Sequence, residues 1–268
     1  MPYQTIYSSG TGMLGMETKL NTIANNLANL ETTAYKKQRL NFEDLYYDNL
    51  RYPGSQDING EYAATGIAVG VGTRVTSVQS VMSQGASKQT DRDLDAEILG
   101  EGFFQCTDQI TNETFYTRAG NFSINNDGML VIGSSHTGRL VEPNITIPDG
   151  TKKIQINDDG GVYVWENETV REGQLIDRLQ LATFINPEGL LRVGENMYRE
   201  TAASGEPVVN DPGFNGTGMI RAGYLEASNV QPVVELIDMI TSQRAYELNS
   251  KATQTGDSLL QTVISIKR

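Results

Sequence analysis

Three residue classes in this 268-residue chain could do chemistry: a single cysteine, a single histidine and a large set of carboxylates. Cys106 is alone, which excludes an intrachain disulfide and a cysteine zinc cage. His136 lies in Ser134-Ser135-His136-Thr137-Gly138, a turn composition where a lone histidine reads as a surface residue. One Cys and one His supply neither a metal-ligand set nor a nucleophile pair. The acids cluster at Asp91-Arg92-Asp93-Leu94-Asp95 with Glu97. A carboxylate-pair hydrolase needs two acids facing each other across a cleft, which spacing alone does not provide, so a solvated edge strand is expected. Asp-Gly turns invite a calcium reading. Around Asp127-Gly128 the terminal ligand positions fall on Ser123 and Ser134, and around Asp159-Gly160 the first falls on Gln155, although Asn157 and Glu166 fit. Flanking strand patterns make both hairpin turns. Gly70-Val71-Gly72 has no third glycine and no helix after it, and neither a Walker loop nor a Gly-x-Ser-x-Gly elbow occurs. No catalytic residue, cofactor or metal is expected.

The elements that position these residues read differently at the ends and in the middle. The composition is lean in core formers (38% hydrophobic, 7% aromatic) and rich in Gly (27), which suits a β-rich or extended architecture. A net charge of −12 repels phosphate backbones, so nucleic acid is excluded as a partner. No window approaches a membrane span and no signal-like leader opens the chain, so composition alone suggests a soluble, cytoplasmic protein. Near the N-terminus, Ile6, Ser9, Met13, Met16, Leu20, Ile23, Leu27 and Leu30 repeat at alternating spacings of three and four. That is a thin coiled-coil seam on a helix about 40–45 Å long. Asn25, Asn26 and Asn29 lie off the seam on faces poor in helix formers, and such a helix needs a partner. Ser228-Asn229-Val230-Gln231-Pro232 then starts a second helix. Along it Thr241, Ala245, Leu248, Ala252, Thr255, Leu259, Thr262 and Ile266 repeat the spacing, widened at the start by Val233, Ile237 and Ile240. Arg244, Glu247 and Lys251 form an outer charged set on this helix.

The middle is β in pattern. Runs such as Thr73–Met82, Phe103–Gln105, Lys153–Asn157 and Ile220–Glu226 are separated by Asn-Asp-Gly, Pro-Asp-Gly and Asp-Asp-Gly-Gly turns. Phe42–Gly72 opens with aromatics (Phe42, Tyr46, Tyr47, Tyr52), passes Pro53 and becomes polar, too long for an ordinary connection. The expected fold class is α+β, mostly β, with long N- and C-terminal helices paired as a coiled coil and attached to a central β-rich domain. The expected parts are a terminal helical domain of 1–34 with 226–268, an extended connecting segment over 35–74 and a β-rich outer domain over 75–225. A fragment of about 38–225 is expected to be soluble and monomeric.

Three stretches resemble one family, the flagellar rod and hook proteins of bacteria. They are Thr22–Lys37; Gly100-Glu101-Gly102-Phe103-Phe104-Gln105 followed by Tyr116–Phe122; and Gly223–Val230 leading to Ile240–Ala252. Length, the 42–72 segment and Gly194-Glu195-Asn196-Met197-Tyr198 look most like the distal-rod branch; a proximal-rod or hook paralogue is the alternative. From another class, an extracellular carbohydrate-active β protein is the rival. Where the family usually has Gly, this chain has Ala34, which costs about 1 kcal/mol if the backbone there is left-handed. The resemblance implies a structural subunit that self-assembles into a helical tube, a drive shaft carrying torque from motor to hook. It implies export without a cleaved signal, location in the periplasm-spanning rod of the basal body, and no membrane insertion. The implied partners are further copies, proximal rod proteins, the hook protein and surrounding ring proteins. The implied assembly interface includes Ile6, Met13, Met16, Leu20, Ile23, Leu27 and Leu30 with Asn25, Asn26 and Asn29. On the second helix it includes Ile237, Arg244, Ala245, Leu248, Ala252, Leu259 and Ile266. Tyr46, Tyr47, Tyr52 and Pro53 would mark the segment that stiffens the rod.

Overall fold

The computed structural model describes residues 2–56, 62, 64–133, 138–148, 150–166 and 173–266. His136, Ser134, the Asp149 turn and part of the 42–72 segment lie outside the described residues. The chain divides into two compact units, Met1–Ala28 with Gln38–Ser80 and Gln231–Arg268, and Asn29–Lys37 with Val81–Val230. It passes between them four times, whereas the sequence boundaries imply a single excursion into a central domain.

The first unit holds helix α1 (Pro2–Ala28), strands β1 (Gln38–Asp44), β2 (Tyr47–Arg51), β3 (Ile67–Gly70) and β4 (Thr73–Ser80), and helix α2 (Pro232–Ile266). The segment expected to be extended is therefore largely strand. β1 pairs antiparallel with β4 through a bulge at Asn41/Phe42, and β2 pairs with β3 as a hairpin. The helices run antiparallel: the Ser9 and Thr253 hydroxyls hydrogen bond at 2.8 Å near one end, and Asn26 donates to Glu235 at 3.2 Å near the other. Approach is close because Gly12 lacks a side chain; a Cβ there would lie 2.9 Å from the Asn249 amide.

Which faces meet is the main surprise of this unit. The α1 seam points inward as expected, with Ile23 buried and Ile6, Met13, Met16, Leu20 and Leu27 half-buried. The α2 seam does not. The inner face of α2 is small and polar, carrying Glu235, Ser242, Asn249 and Gly256 at intervals of seven. Ala245 and Ala252 are half-buried beside it, while Ile237, Leu248 (66% exposed), Leu259 and Ile266 (79%) face outward. Small residues win the inner face because only they allow backbones to approach to this distance.

The second unit contains β5 (Ser87–Gln89), β6 (Ala96–Leu99), β7 (Phe103–Thr107), β8 (Thr114–Thr117), β9 (Phe122–Ile124), β10 (Leu130–Ile132), β11 (Arg139–Glu142) and β12 (Lys153–Ile156). It continues with β13 (Gly161–Trp165), β14 (Gln174–Arg178), β15 (Leu181–Thr183), β16 (Leu191–Gly194), β17 (Met197–Arg199), β18 (Val208–Asn210), β19 (Met219–Ala222) and β20 (Tyr224–Glu226). The main sheet runs β16-β17-β8-β7-β11-β10-β9, with β15 also on β7 and β18 on β15. A three-stranded sheet β12-β13-β14 and the pairs β6–β19 and β5–β20 complete it, all antiparallel. Consecutive Phe103 and Phe104 on β7 point to opposite faces, as alternation requires. Phe104 packs edge-on against Phe122 in the larger core with Leu130, Ile156, Leu181 and Ile220, and Phe103 joins Tyr116, Phe184 and Tyr198 in a smaller one.

The turn predictions hold. Asp127-Gly128 links β9 to β10, with the Asn125 carboxamide oxygen accepting from the Asp127 and Met129 N–H groups, and Asp159-Gly160 links β12 to β13. The acidic cluster departs from expectation. Asp91–Asp93 are exposed, but Asp95, bridged to Asn121, is buried, as is Glu97 on β6, opposite Arg221 of β19, which stacks on Tyr224 at 3.8 Å.

Ala34 keeps the left-handed backbone of the missing glycine, at φ +55°, and its N–H donates to the Glu226 carbonyl at 2.8 Å. Ala34→Gly should therefore match or exceed the wild type in urea unfolding. Ala34→Val, whose branched Cβ resists positive φ, should lose about 2 kcal/mol or more. Equal losses in both variants would mean that packing, not backbone conformation, governs the position.

Candidate functional site

The densest polar chemistry of the second unit is closed to solvent. At the end of β20 the Glu226 carboxylate accepts from Lys36 Nζ at 2.5 Å, Arg118 Nε at 2.8 Å and the Gly85 N–H at 2.7 Å. All three charged side chains are at most 5% exposed. Lys36 also donates to the Ser83 carbonyl at 2.8 Å. The outer edge of Arg118 donates to the carbonyls of Ile98, Gly100 and Gly102. Gly100 and Gly102 have φ of +111° and +139°, so a loop only glycine adopts readily turns those carbonyls toward the guanidinium.

Neighbouring contacts keep the three charges in register. Asn229 accepts from the Lys37 N–H at 2.6 Å and donates to the carbonyls of Val81 and Ser83. Arg192 lies over the rings of Tyr35 and Tyr198 and donates to the Lys36 carbonyl. Every segment by which the chain enters or leaves this unit (29–37, 81–85 and 226–230) is thus tied to one node.

The electrostatics follow from burying two cations around one anion. Burial lowers the Lys36 pKa to about 8, helped by the Arg118 charge and opposed by Glu226. Burial alone would push Glu226 up, but Arg118, Lys36 and the Gly85 N–H outweigh it and hold the carboxyl below its usual range. The node is closed to solvent and ties its chain segments together through charge-assisted hydrogen bonds. Cys106 is no nucleophile: it is fully buried, and burial pushes its thiol up to about 12. Among the described residues no three His, Cys, Asp or Glu side chains cluster as a metal site, and no helix is long and apolar enough to cross a membrane.

The residues singled out from sequence are scattered by comparison. Asn26 is buried within its own chain, its amide donating to the Gln38 carbonyl and accepting from the Gln38 N–H, both at 2.9 Å, like a β-ladder partner. Asn25 is exposed, whereas Asn29 and Leu30 belong to the second unit and are half-buried. Arg244 forms the expected outer pair with Glu247 at 2.9 Å. Tyr46, Tyr47, Tyr52 and Pro53 lie exposed on or beside the β2–β3 hairpin. Lys36, Arg118 and Glu226 were absent from the sequence-derived site, though each stands inside a motif quoted there. Arg118 and Glu226 are the lone charges of Tyr116–Phe122 and Gly223–Val230, whereas Lys36 stands beside Lys37 with no local signal to mark it.

Three family models match the chain: "Flagella basal body rod protein" over residues 6–36, "Flagellar hook protein FlgE/F/G D1 domain" over 97–164, and "Flagellar basal body rod FlgEFG protein C-terminal" over 221–266. Each matched stretch contributes one member of the node. The chain is 40% identical over 265 residues to the flagellar basal-body rod protein FlgG of Caulobacter vibrioides, covering 98% of this chain and 99% of that one. It is 36% identical over 276 residues to the Bacillus subtilis protein of the same name, covering 99% of each. To the B. subtilis flagellar hook-basal body complex protein FlhP it is 27% identical over 278 residues, covering 98% of this chain and 99% of that one.

Glu226→Gln leaves two buried cations without an anion and should cost about 3–5 kcal/mol in urea unfolding; Lys36→Met, which keeps the Arg118–Glu226 pair, should cost less. The 38–225 fragment omits Lys36 and Glu226, so it should unfold at lower urea than a 29–230 fragment. The folded pKa of Lys36 lies below its unfolded value, so between pH 8 and about 10 the unfolded chain holds more protons. Stability should therefore rise with pH across that window in the wild type relative to Lys36→Met. A pH-independent difference between the two would remove the buried-charge assignment.

Proposed function

The chain belongs to the flagellar basal-body rod protein family, and from that premise we propose that it is a structural subunit of the distal rod. In this reading copies self-assemble into a helical tube that carries torque from motor to hook. Likeness to FlgG proteins along nearly the whole chain favours this branch over the hook-associated relative at 27% identity. The protein is structural, not an enzyme.

The observation that carries assembly is the outer face of α2. Val233, Leu236, Ile237 and Ile240 near its start, and Leu259, Val263, Ile264 and Ile266 near its end, are all exposed. An apolar helix face of this extent is unfavourable in water and suits burial against neighbouring copies. The antiparallel α1–α2 pair, spaced by sevens on α2, supports a coiled-coil pairing completed by those neighbours. Assembly then runs through Ile237, Leu248, Leu259 and Ile266, with the half-buried seam of α1 held from within. Contacts between non-identical patches give open-ended helical growth.

Charge supports the same arrangement. The helical unit carries 8 Lys and Arg against 10 Asp and Glu, a net −2, while the second unit carries 13 against 23, a net −10. A nearly neutral unit suits close packing between copies, and an acidic one suits hydration. The exposed tyrosines around the β2–β3 hairpin are the proposed bracing segment between copies. Proximal rod proteins, the hook protein and the ring proteins are the proposed partners. A periplasm-spanning position reached without a cleaved signal is the proposed location.

Ile237→Glu and Leu259→Glu should leave circular dichroism unchanged and unfolding within about 0.5 kcal/mol of wild type, because both side chains are exposed. Full-length protein should form filaments in electron micrographs, and both substitutions should abolish them. Filaments persisting in both variants would remove α2 from the interface.

A further inference from the structure

A cleft of about 370 Å³ opens in the second unit between β11, the β16–β17 turn and the residues after β8, lined by Asp108, Asn121, Arg139, Glu195, Asn196 and Met197 among others. Among the described residues, one polar atom of its wall is buried without a partner, and two half-exposed amides have none within the chain. Arg139 Nε is buried without a hydrogen bond, and the side-chain amides of Asn121 and Asn196 make none. Buried polar groups are normally satisfied, so the unpaired Arg139 nitrogen, beside two amides free to bond a ligand, marks this wall as a polar binding surface. The rest of Arg139 is fixed: Nη1 donates to Glu195 at 2.5 Å and contacts Met197 Sδ, and the guanidinium covers the Phe115 ring. Asp108 accepts from the Ile110 N–H and the Thr111 hydroxyl and retains lone pairs.

The backbone adds an independent observation. Glu195 and Asn196 form a two-residue hairpin turn with φ of +53° and +61°, where glycine would normally occupy at least one position. Left-handed backbone at Glu195 is strained, and strain of this kind collects at binding sites. Its effect here is to hold the Asn196 side chain on the wall of the cleft.

The donor set selects the ligand. Two amides that both donate and accept, a guanidinium that only donates and two carboxylates that only accept match hydroxyl groups, which do both. Asp108 and Glu195 outweigh Arg139, and the surrounding unit is at −10, so anions are disfavoured. Among the described residues no aromatic ring lines the cleft, while Ile132, Ala119 and Met197 offer an aliphatic wall for the C–H face of a sugar ring. We propose that this cleft binds a neutral saccharide of up to about disaccharide size. The proposal concerns binding, not hydrolysis, and does not depend on the rod reading.

The test is a titration of the full chain carrying ¹³C-methyl methionine, with cellobiose and N,N′-diacetylchitobiose as probes and glucuronate as the acidic control. One of the disaccharides should shift the Met197 methyl saturably, and glucuronate should bind more weakly or not at all. Asn196→Gly keeps the left-handed turn and relieves its strain, so its unfolding midpoint should equal or exceed wild type. It and Asn121→Ala should each weaken saccharide binding about tenfold, the worth of one hydrogen bond. If either variant unfolds, the other decides. No saturable shift with either disaccharide, tighter binding of glucuronate, or unchanged affinity in a folded variant would each overturn the proposal.

Discussion

Two cations buried around one carboxylate form the constraint on which the second unit depends. Neither Lys36 nor Arg118 is tolerable away from water unless Glu226 is present, and Glu226 arrives from a segment 190 residues after Lys36. Well-packed apolar residues often stabilise a site of this size as well as an ion cluster does. What the cluster adds is intolerance of any arrangement that separates its members. The geometry agrees: Glu226, Arg118 and Lys36 reach the 81–85 strand entry, the Gly100–Gly102 loop and the 34–37 segment in one step each. A misregistered β20 would strand charges and would not merely lose contacts.

The helical unit solves the opposite problem. Its internal contact is small and polar along α2, where Glu235, Ser242, Asn249 and Gly256 face inward and Asn26 pairs with the Gln38 backbone. Its aliphatic side chains are left outside. A monomer's stability would favour the reverse arrangement. The inside-out distribution is favourable only if the outer face is buried in contacts between copies, as proposed above.

Much of the architecture was legible. Hydrophobic spacing at both ends identified α1 and α2 nearly to their boundaries, and Asn-Asp-Gly and Asp-Asp-Gly-Gly identified two hairpins, because local patterns act through local geometry. The 42–72 segment read as a linker since β2 is exposed along its whole length and shows no alternation; its strands exist by pairing, not by burial. Asp95 and Glu97 read as solvated because no local pattern reveals the bridge to Asn121 or the pairing of β6 with β19. Asn26 read as an outward contact because its partners, Gln38 and Glu235, lie 12 and 209 residues away.

Sequence alone determined the two terminal helices and many of the central strands, that one Cys and one His are too few for a Cys/His metal set, and that the ends carry seams of apolar residues. Those conclusions rest on composition and on periods of two or three to four residues, which a chain expresses before it folds. Tertiary structure decided which face of α2 turns inward and which three charges meet at the end of β20. Both depend on distances between residues far apart in sequence, where close approach selects small side chains and desolvation selects complementary charge.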